Sequence, residues 1–191
     1  MNAAHRWLCG TARWRRFVRD DVVPWAIEGT PLADAPLAAR MLEIGPGPGA
    51  ATDLLVERVA DLTCVELDRR LATTLAARLG RRGVVVRCAD ATALADADGS
   101  FDCAACFTML HHLPSPALQD RLFREVRRVL RSGGVFVGAD TRHSALLRLL
   151  HVCDTYVPVD PATLPGRLRA AGFRDVRVDV RTRAFRFSAR R

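Results

Sequence analysis

From residue 37 onward, short apolar runs alternate with stretches in which apolar residues recur every three or four positions. The runs are typical of buried strands and the periodic stretches of amphipathic helices. This alternation predicts right-handed βαβ units and a largely parallel sheet. We expect strands at about residues 40–44, 62–66, 83–88, 101–107 and 133–139, and helices at about 50–59, 68–79, 117–131 and between Asp160 and Gly172.

The last two segments, residues 173–180 and 183–188, alternate apolar and polar positions. Strict alternation is typical of strands with one buried face, so these segments predict an antiparallel hairpin. The predicted fold class is α/β, a Rossmann-like, doubly wound, mostly parallel seven-stranded sheet that ends in a C-terminal antiparallel hairpin.

A helical segment is expected before the sheet. Residues 3–19 place Trp7, Thr11, Trp14 and Val18 on one helical face, which predicts that this helix docks on the domain. Pro24 should end or kink the helical run that follows. We therefore expect an N-terminal helical cap over residues 1–39 and the α/β domain over 40–191, one domain overall, with the cap acting as a lid or as a plain packing helix.

Length and composition favour one α/β domain, because 191 residues with 49% hydrophobic residues suffice for one full core. No apolar run approaches the ~18 residues that a membrane span needs, and the start lacks the apolar region of a secretory signal. The sequence predicts a soluble, cytoplasmic protein with no membrane span. Residues 1–19 are rich in arginine like a transit peptide, but Trp7, Trp14 and Phe17 favour a docking face.

The net charge of +8 comes from 29 basic residues, all of them arginine. Such a composition suggests a GC-biased coding sequence, and the arginines are scattered rather than gathered in one stripe. The charge therefore predicts no specific nucleic acid partner.

Six cysteines are present, and only Cys103 and Cys106 are closely spaced. In a strand, residues three apart point to opposite faces, so this pair cannot chelate one metal ion. We expect buried thiols in a reducing compartment and no metal site.

Residues 40–49 read as a buried strand that runs into a glycine-rich turn. Gly45, Gly47 and Gly49 allow positive φ and a close ligand. The spacing of Gly45, Gly47 and Ala50 also fits the dinucleotide pattern G-x-G-x-x-G/A. Pro46 and Pro48, however, carry no N–H for a pyrophosphate, which favours a ligand without phosphates.

The run from Glu43 to Gly49, E-x-G-x-G-x-G, resembles the first motif of the class I S-adenosylmethionine-dependent methyltransferases. The resemblance extends over about residues 40–189. It implies S-adenosyl-L-methionine as the cofactor and a reversed seventh strand beside the fifth.

Two stretches at strand ends resemble that family's cofactor contacts. Glu66, followed by Leu67, ends the second expected strand, where the family's carboxylate accepts from both ribose hydroxyls. Asp90 and Ala91 resemble the G-D-A motif that holds adenine, although Ala89 replaces the usual glycine. Asp90 as a simple turn former is the alternative.

Residues 107–114 resemble the strand-four and L-H-H-L segment of small-molecule methyltransferases, including those of ubiquinone and menaquinone synthesis. This resemblance implies that His111 and His112 line the acceptor side. His111 is the candidate catalytic residue, as a base, an orienting group or a packing residue. Adjacent residues do not easily face one point, so we expect His112 to pack or hydrogen-bond under the loop.

The stretch from Glu43 to Gly49, with Leu54, Glu66 and Asp68, also resembles ribosomal RNA adenine methyltransferases. Those enzymes carry an N-[IL]-P-[YF] loop after strand four, whose aromatic ring stacks on the flipped base. Residues 107–110 here read Phe-Thr-Met-Leu, and no room is expected for an RNA-binding domain.

The sequence therefore predicts an S-adenosylmethionine-dependent methyltransferase that moves a methyl group to a small, apolar molecule by in-line displacement. The alternatives are a ribosomal RNA adenine methyltransferase and a non-catalytic S-adenosylmethionine-binding protein. The expected acceptor pocket combines the N-terminal helix with residues 108–114, 140–143 and 146–153. The acceptor and the oligomeric state stay open. The expected cofactor-binding residues are Glu43, Gly45, Pro46, Gly47, Gly49, Glu66, Leu67, Asp90, Ala91 and Phe107.

Overall fold

The computed structural model of the chain describes residues 3–34, 37–144, 148–149, 151–152 and 154–191. Its strands are β1 (Leu37–Ile44), β2 (Val59–Glu66), β3 (Val85–Cys88), β4 (Phe101–Phe107), β5 (Leu130–Thr141), β6 (Arg174–Val180) and β7 (Ala184–Arg190). They form one seven-stranded sheet in the order β3-β2-β1-β4-β5-β7-β6. Strands β1 to β5 pair in parallel, whereas β7 is antiparallel to both neighbours. The predicted fold class and its closing hairpin are confirmed.

The helices are α1 (Ala3–Gly10), α2 (Ala12–Phe17), α3 (Val23–Ile27), α4 (Thr52–Leu55), α5 (Arg69–Leu79), α6 (Pro116–Val129) and α7 (Leu164–Ala170). A π-helical turn covers Val18–Val22, and 3₁₀ turns cover Pro31–Asp34, Gly80–Arg82 and Leu110–His112. Helix α5 begins where the Asp68 carboxylate caps it by accepting from two backbone N–H groups. Ser115 caps α6 by accepting from the Leu118 N–H.

Two apolar layers cover the two faces of the sheet, because neighbouring strand residues point to opposite sides. Met41 and Cys103 lie in one layer, and Leu42 and Cys106 lie in the other. The predicted opposition of the two cysteines is therefore confirmed. Cys88 is exposed, so the expectation of buried thiols is wrong at this position, on a strand at the edge of the sheet.

The N-terminal segment packs differently from the prediction. Its helix breaks after Gly10, where the Thr11 side chain accepts from the Trp14 N–H and starts α2. The break separates Trp7 from the expected face and leaves its side chain 73% exposed, and Phe17 is 47% exposed. Docking through these two rings is therefore wrong. The residues that enter the core are Val18, Val22, Val23, Ala26, Ile27 and Leu32.

Arg186 ties this segment to the C-terminal hairpin. Its guanidinium donates to the Trp25 carbonyl and pairs with Glu28 at 2.7 Å and with Asp179 at 2.8 Å. The Arg181 guanidinium lies 4.0 Å from the centre of the Trp25 ring. Because of these contacts and the shared core, residues 3–34 pack as part of the same domain as the sheet.

The helix expected at residues 50–59 is shorter than predicted, because α4 ends at Leu55. The residues that follow α4 pair with β1 instead of continuing the helix. The Arg58 carbonyl accepts from the Leu37 N–H at 2.8 Å, and Val59 pairs with Leu37. No helix in the described part of the chain combines the length and the apolar character needed to cross a bilayer.

Gly138 gives a test of the packing between β5 and its neighbours. A Cβ atom there would lie 2.6 Å from both the Cys106 carbonyl oxygen and the Phe187 ring. We predict that Gly138→Ala lowers the free energy of unfolding by about 1–3 kcal/mol through overpacking. Gly166→Ala is the control, since its Cβ would meet nothing within 4 Å, and helix propensity should raise stability by about 0.5–1 kcal/mol. Urea denaturation measures both, and equal stability of the two variants would contradict the packing described.

Candidate active site

The glycine loop after β1 uses its own N–H groups internally. Gly45 donates to the Val65 carbonyl, Gly47 to the Glu66 carboxylate and Gly49 to the Pro46 carbonyl, each at 2.9 Å. All three glycines have positive φ, between 55° and 84°. Pro46 and Pro48 have no N–H. Residues 45–49 thus present no spare N–H group to a phosphate, which agrees with the predicted phosphate-free ligand.

Glu66 ends β2 and holds this loop in place. One carboxylate oxygen accepts from the Gly47 N–H and the other from the Asp68 N–H, both at 2.9 Å. A carboxylate has about four acceptor sites, so these two bonds leave capacity for ligand hydroxyls. Leu67 follows with its side chain 73% exposed, an unusual position for leucine. Glu66, Leu67 and Gly47 therefore form one edge of an open site.

Arg78 fixes the other end of the glycine loop. Its Nη2 donates to the carbonyls of Pro48, at 3.1 Å, and Gly49, at 3.3 Å, and its Nη1 pairs with Asp53. The guanidinium thus hydrogen-bonds to carbonyl groups of the glycine turn. The sequence prediction missed Arg78 because nothing distinguishes it from the other arginines of the chain.

Glu43 lies inside β1 and is only 1% exposed. The Cys64 thiol on β2 donates to its Oε2 at 3.4 Å. Burial raises the pKa of Glu43 to about 7, against the opposing effect of the Cys64 hydrogen bond. The side chain therefore sits in the core at the start of the loop, and its predicted cofactor contact stays a prediction.

Asp90 follows β3 next to Glu66, because the Ala89 N–H donates to the Glu66 carbonyl at 3.1 Å. The Asp90 Oδ1 accepts from the Thr92 N–H at 2.8 Å. The turn-forming role that the sequence left open is thus present, and it orients an exposed carboxylate at the same edge of the sheet. The adenine contacts of Asp90 and Ala91 stay predictions.

The segment after β4 meets the glycine loop. Phe107 is buried at the end of the strand, and Thr108 adopts a φ of +51°, which is uncommon for a residue other than glycine. The Thr108 N–H donates to the Ala139 carbonyl at 2.8 Å. A Cβ atom on Gly45 would lie 3.1 Å from the Met109 side chain, so the two loops are in contact. Strained backbone of this kind clusters at functional sites.

His111 and Asp140 form a buried pair between β4 and β5. The His111 Nδ1 lies 2.5 Å from the Asp140 Oδ1, and the His111 N–H donates to Oδ2 at 3.2 Å. Burial alone would raise the pKa of Asp140, but the His111 ring and two backbone N–H groups outweigh it, and the pKa lies below its usual range. The carboxylate therefore orients the imidazole through Nδ1 and leaves Nε2 for other chemistry.

His111 hydrogen-bonds beneath the loop, because the 3₁₀ turn Leu110–His112 turns its ring inward. This corrects the expectation that the two histidines face different points, because they converge. Their ring centres are 4.3 Å apart and lie 5.1 Å and 5.3 Å from the centre of the His151 ring. The prediction that His111 is catalytic is not affected by this correction.

The sequence prediction placed residues 140–143 and 146–153 at the acceptor pocket without finding how they meet. The structure brings Asp140 to His111, and His151 to both histidines, and it stacks Tyr156 on His151 with ring centres 4.6 Å apart. Tyr156 was missed, since it lies beyond the predicted segment. Within that segment, residues 146, 147, 150 and 153 lie outside the described residues.

Comparison with known proteins assigns the family. Residues 42–138, about half of the chain, match the model of a methyltransferase domain. The chain therefore belongs to this methyltransferase-domain family. This confirms the predicted family. The chain spans less than two thirds of the length of the curated relatives that it matches.

The curated relatives carry the names of enzymes with different acceptors. The chain is 29% identical to a ubiquinone biosynthesis O-methyltransferase of Xanthomonas axonopodis pv. citri, over 72% of this chain and 63% of that protein. It is 64% identical to ribosomal RNA small subunit methyltransferase A of Fusobacterium nucleatum, but over only 19% of this chain and 14% of that one. An S-adenosylmethionine-dependent methyltransferase of Aquifex aeolicus superposes with a TM-score of 0.74, at 17% identity and with 99% and 98% of the two chains covered.

The raised pKa of Glu43 gives a pH test. Between the ordinary value of 4.5 and about 7, the folded protein binds more protons than the unfolded chain. The contribution of Glu43 to the free energy of unfolding should be fully present below pH 4.5. It should be lost as the pH rises through 7, by about 3 kcal/mol for a pKa shift of this size. Glu43→Gln should abolish that loss. Urea denaturation at pH 5 and pH 8 measures the difference between the two proteins, and the same pH dependence in both would refute the assignment.

Proposed function

We propose that the protein transfers the methyl group of S-adenosylmethionine to a small, apolar molecule by in-line displacement. One observation carries the choice of cofactor: the N–H groups of Gly45, Gly47 and Gly49 are already hydrogen-bonded, and the two prolines have none. A dinucleotide needs such groups for its pyrophosphate, whereas S-adenosylmethionine has no phosphate.

Five described cysteines are free thiols, which fits the proposed cytoplasmic location.

The cofactor would lie along the carboxyl ends of β1, β2 and β3, where the strand order reverses beside β4. In this arrangement the Glu66 carboxylate accepts from the ribose hydroxyls while it keeps its bond to Gly47. The exposed Leu67 side chain covers one face of the adenine. Asp90 accepts from the adenine amino group and the Ala91 N–H donates to a ring nitrogen. Gly45, Pro46, Gly47 and Gly49 line the turn beside the cofactor, with Glu43 and Phe107 at the strand ends.

In the reaction, the acceptor atom attacks the methyl carbon as the carbon–sulfur bond breaks, and the sulfonium becomes a neutral thioether. The sulfonium is already activated, so most of the rate enhancement can come from alignment in a site that excludes water. The contact between Met109 and the glycine loop brings the segment after β4 beside the cofactor turn. This supports an acceptor bound between that segment and the end of β5.

His111 is the group proposed to act on the acceptor. Asp140 holds its Nδ1, so Nε2 can take the proton of an O or N acceptor in the metal-free protein. Asp140 is then a positioning residue that keeps the ring in one tautomer and orientation.

Methylation of ribosomal RNA adenine is the second candidate, favoured by a 36-residue match to such an enzyme and by the resemblance carried by Glu43 to Gly49, Leu54, Glu66 and Asp68. The residues that carry this resemblance belong to the proposed cofactor side, which both enzyme classes share. At the acceptor half, residues 107–110 lack the asparagine and the proline–aromatic pair that hold a flipped adenine. A protein that binds the cofactor without turnover is disfavoured by the buried His111–Asp140 pair, because cofactor binding alone does not require it.

Cofactor binding tests the role of Glu66. We predict that Glu66→Gln weakens S-adenosylhomocysteine binding by about 1–3 kcal/mol, through lost charge-assisted hydrogen bonds to ribose and a loosened Gly47 turn. Asp61→Asn, at the other end of β2 and exposed, is the control and should bind like the wild type. Calorimetry measures the affinities. Equal affinity of the wild type and Glu66→Gln would remove Glu66 from the cofactor site.

Activity tests the acceptor class and His111. In an assay with labelled S-adenosylmethionine, and with EDTA present to remove metal ions, we predict transfer of the labelled methyl group to phenols or quinols. No transfer to adenines of ribosomal RNA is expected. His111→Ala should lower turnover by about 10²-fold or more, and Asp140→Asn by less, with cofactor affinity unchanged in both. Specific methylation of an RNA adenine would overturn the small-molecule assignment, and near-normal turnover of His111→Ala would exclude the base.

A further inference from the structure

Three histidines converge next to the proposed acceptor site, and their geometry suits one metal ion. The ligating nitrogens of His111, His112 and His151 all lie within 4.8 Å of one another. Their ring centres are separated by 4.3 Å, 5.1 Å and 5.3 Å. A tetrahedral zinc ion with Zn–N bonds of about 2.0–2.1 Å places the centres of its imidazoles roughly 5 Å apart. Small side-chain rotations would therefore bring the three nitrogens onto one ion.

The surroundings of the cluster resemble those of ligating histidines. His111 is buried, and the carboxylate of Asp140, itself 1% exposed, holds its Nδ1 at 2.5 Å. A carboxylate on the second nitrogen fixes the tautomer and makes a histidine a better ligand through Nε2. The same carboxylate supplies negative charge beside the ion. The Thr108 N–H and the Val157 N–H, which donate to the Ala139 and His111 carbonyls at 2.8 Å, brace the loop that carries two of the histidines.

The donor set also selects the kind of ion. Three neutral imidazoles suit zinc and neighbouring transition metals, whereas magnesium and calcium prefer oxygen ligands. Three protein ligands leave a fourth position, the arrangement typical of catalytic rather than structural zinc. None of the five described cysteines belongs to this cluster, which contains histidines alone among the residues that the structure describes.

We propose that His111, His112 and His151 bind a divalent transition metal ion of the zinc type, with Asp140 as the positioning residue behind His111. Sequence analysis predicted no metal site, since His151 is distant along the chain and only the fold brings it to the His111–His112 pair. Ion binding does not depend on the proposed methyl transfer.

The consequence for catalysis rests on the proposed function. In the metal-loaded protein Nε2 of His111 is a ligand, so the acceptor is activated differently. An acceptor hydroxyl that takes the fourth position loses its proton to water, since coordination lowers its pKa. Its oxygen then forms a bond to the methyl carbon as the carbon–sulfur bond breaks. The products are the methyl ether, S-adenosylhomocysteine and one proton, so charge and atoms balance without a further reactant.

Metal binding is tested on the full chain without an affinity tag, after EDTA treatment and buffer exchange. Co²⁺ is titrated as an optical probe and Zn²⁺ by competition with a chromophoric chelator. We expect one ion per chain and visible cobalt bands of low coordination number, without a thiolate charge-transfer band. His112→Asn, a change at a half-buried position, and His151→Asn should each weaken binding more than about 100-fold, and Asp140→Asn by about 10- to 100-fold.

His143→Gln is the matched control, because this exposed histidine stacks on Tyr156 but lies outside the cluster, and it should keep wild-type affinity. Circular dichroism of the metal-free variants shows that each is folded. Three results would overturn the proposal: no ion bound by the wild type, a thiolate band in the cobalt spectrum, or unchanged affinity in folded His112→Asn. Calorimetry with S-adenosylhomocysteine on the same samples reports separately on the proposed function.

Discussion

The hydrogen bond from the Gly47 N–H to the Glu66 carboxylate is the contact on which the proposed cofactor site depends. It joins the turn after β1 to the end of β2, next to the place between β1 and β4 where the strand order reverses. Together with the bonds of Gly45 and Gly49, it uses up the glycine N–H groups of this loop. Arg78 secures the carbonyl groups of Pro48 and Gly49 from the other side. The loop is thereby ordered before any ligand binds, and its chemistry favours a ligand without phosphates.

The acceptor side is built on a second buried contact, between His111 and Asp140. Asp140 comes from β5, whereas His111 follows β4, so the parallel pairing of these strands sets their distance. The left-handed Thr108 and the 3₁₀ turn after it direct the ring inward, next to His112 and His151. The same geometry suits Nε2 of His111 to act as a base or as a metal ligand. Whether an ion is bound decides which of the two roles it plays.

Sequence analysis succeeded where a local pattern carries the structure. The strand and helix periods and the glycine turn are local, and the structure confirms them. It failed at Thr11, where a cap that the helical period does not reveal breaks the expected helix and exposes Trp7. It also failed where a distant segment decides the outcome, since the pairing of Leu37 with Val59 shortens α4.

Contacts between remote side chains lay beyond sequence patterns for the same reason. Arg78 is one arginine among many, and His151 meets His111 and His112 only through the packing of the segment after β5. The periodicity of a sequence indicates which face of an element is buried, but it does not indicate which remote side chains meet there. These are the contacts that set the chemistry of the site.

Because the N–H groups of the glycine loop are occupied, the loop should favour S-adenosylmethionine and its product over a dinucleotide. A single measurement tests this directly. Wild-type protein is titrated in a calorimeter with S-adenosylhomocysteine and, separately, with NAD. The account predicts saturable binding of S-adenosylhomocysteine at one site, and no heat from NAD and no competition by it. Binding of NAD at that site, with S-adenosylhomocysteine excluded or unbound, would contradict it.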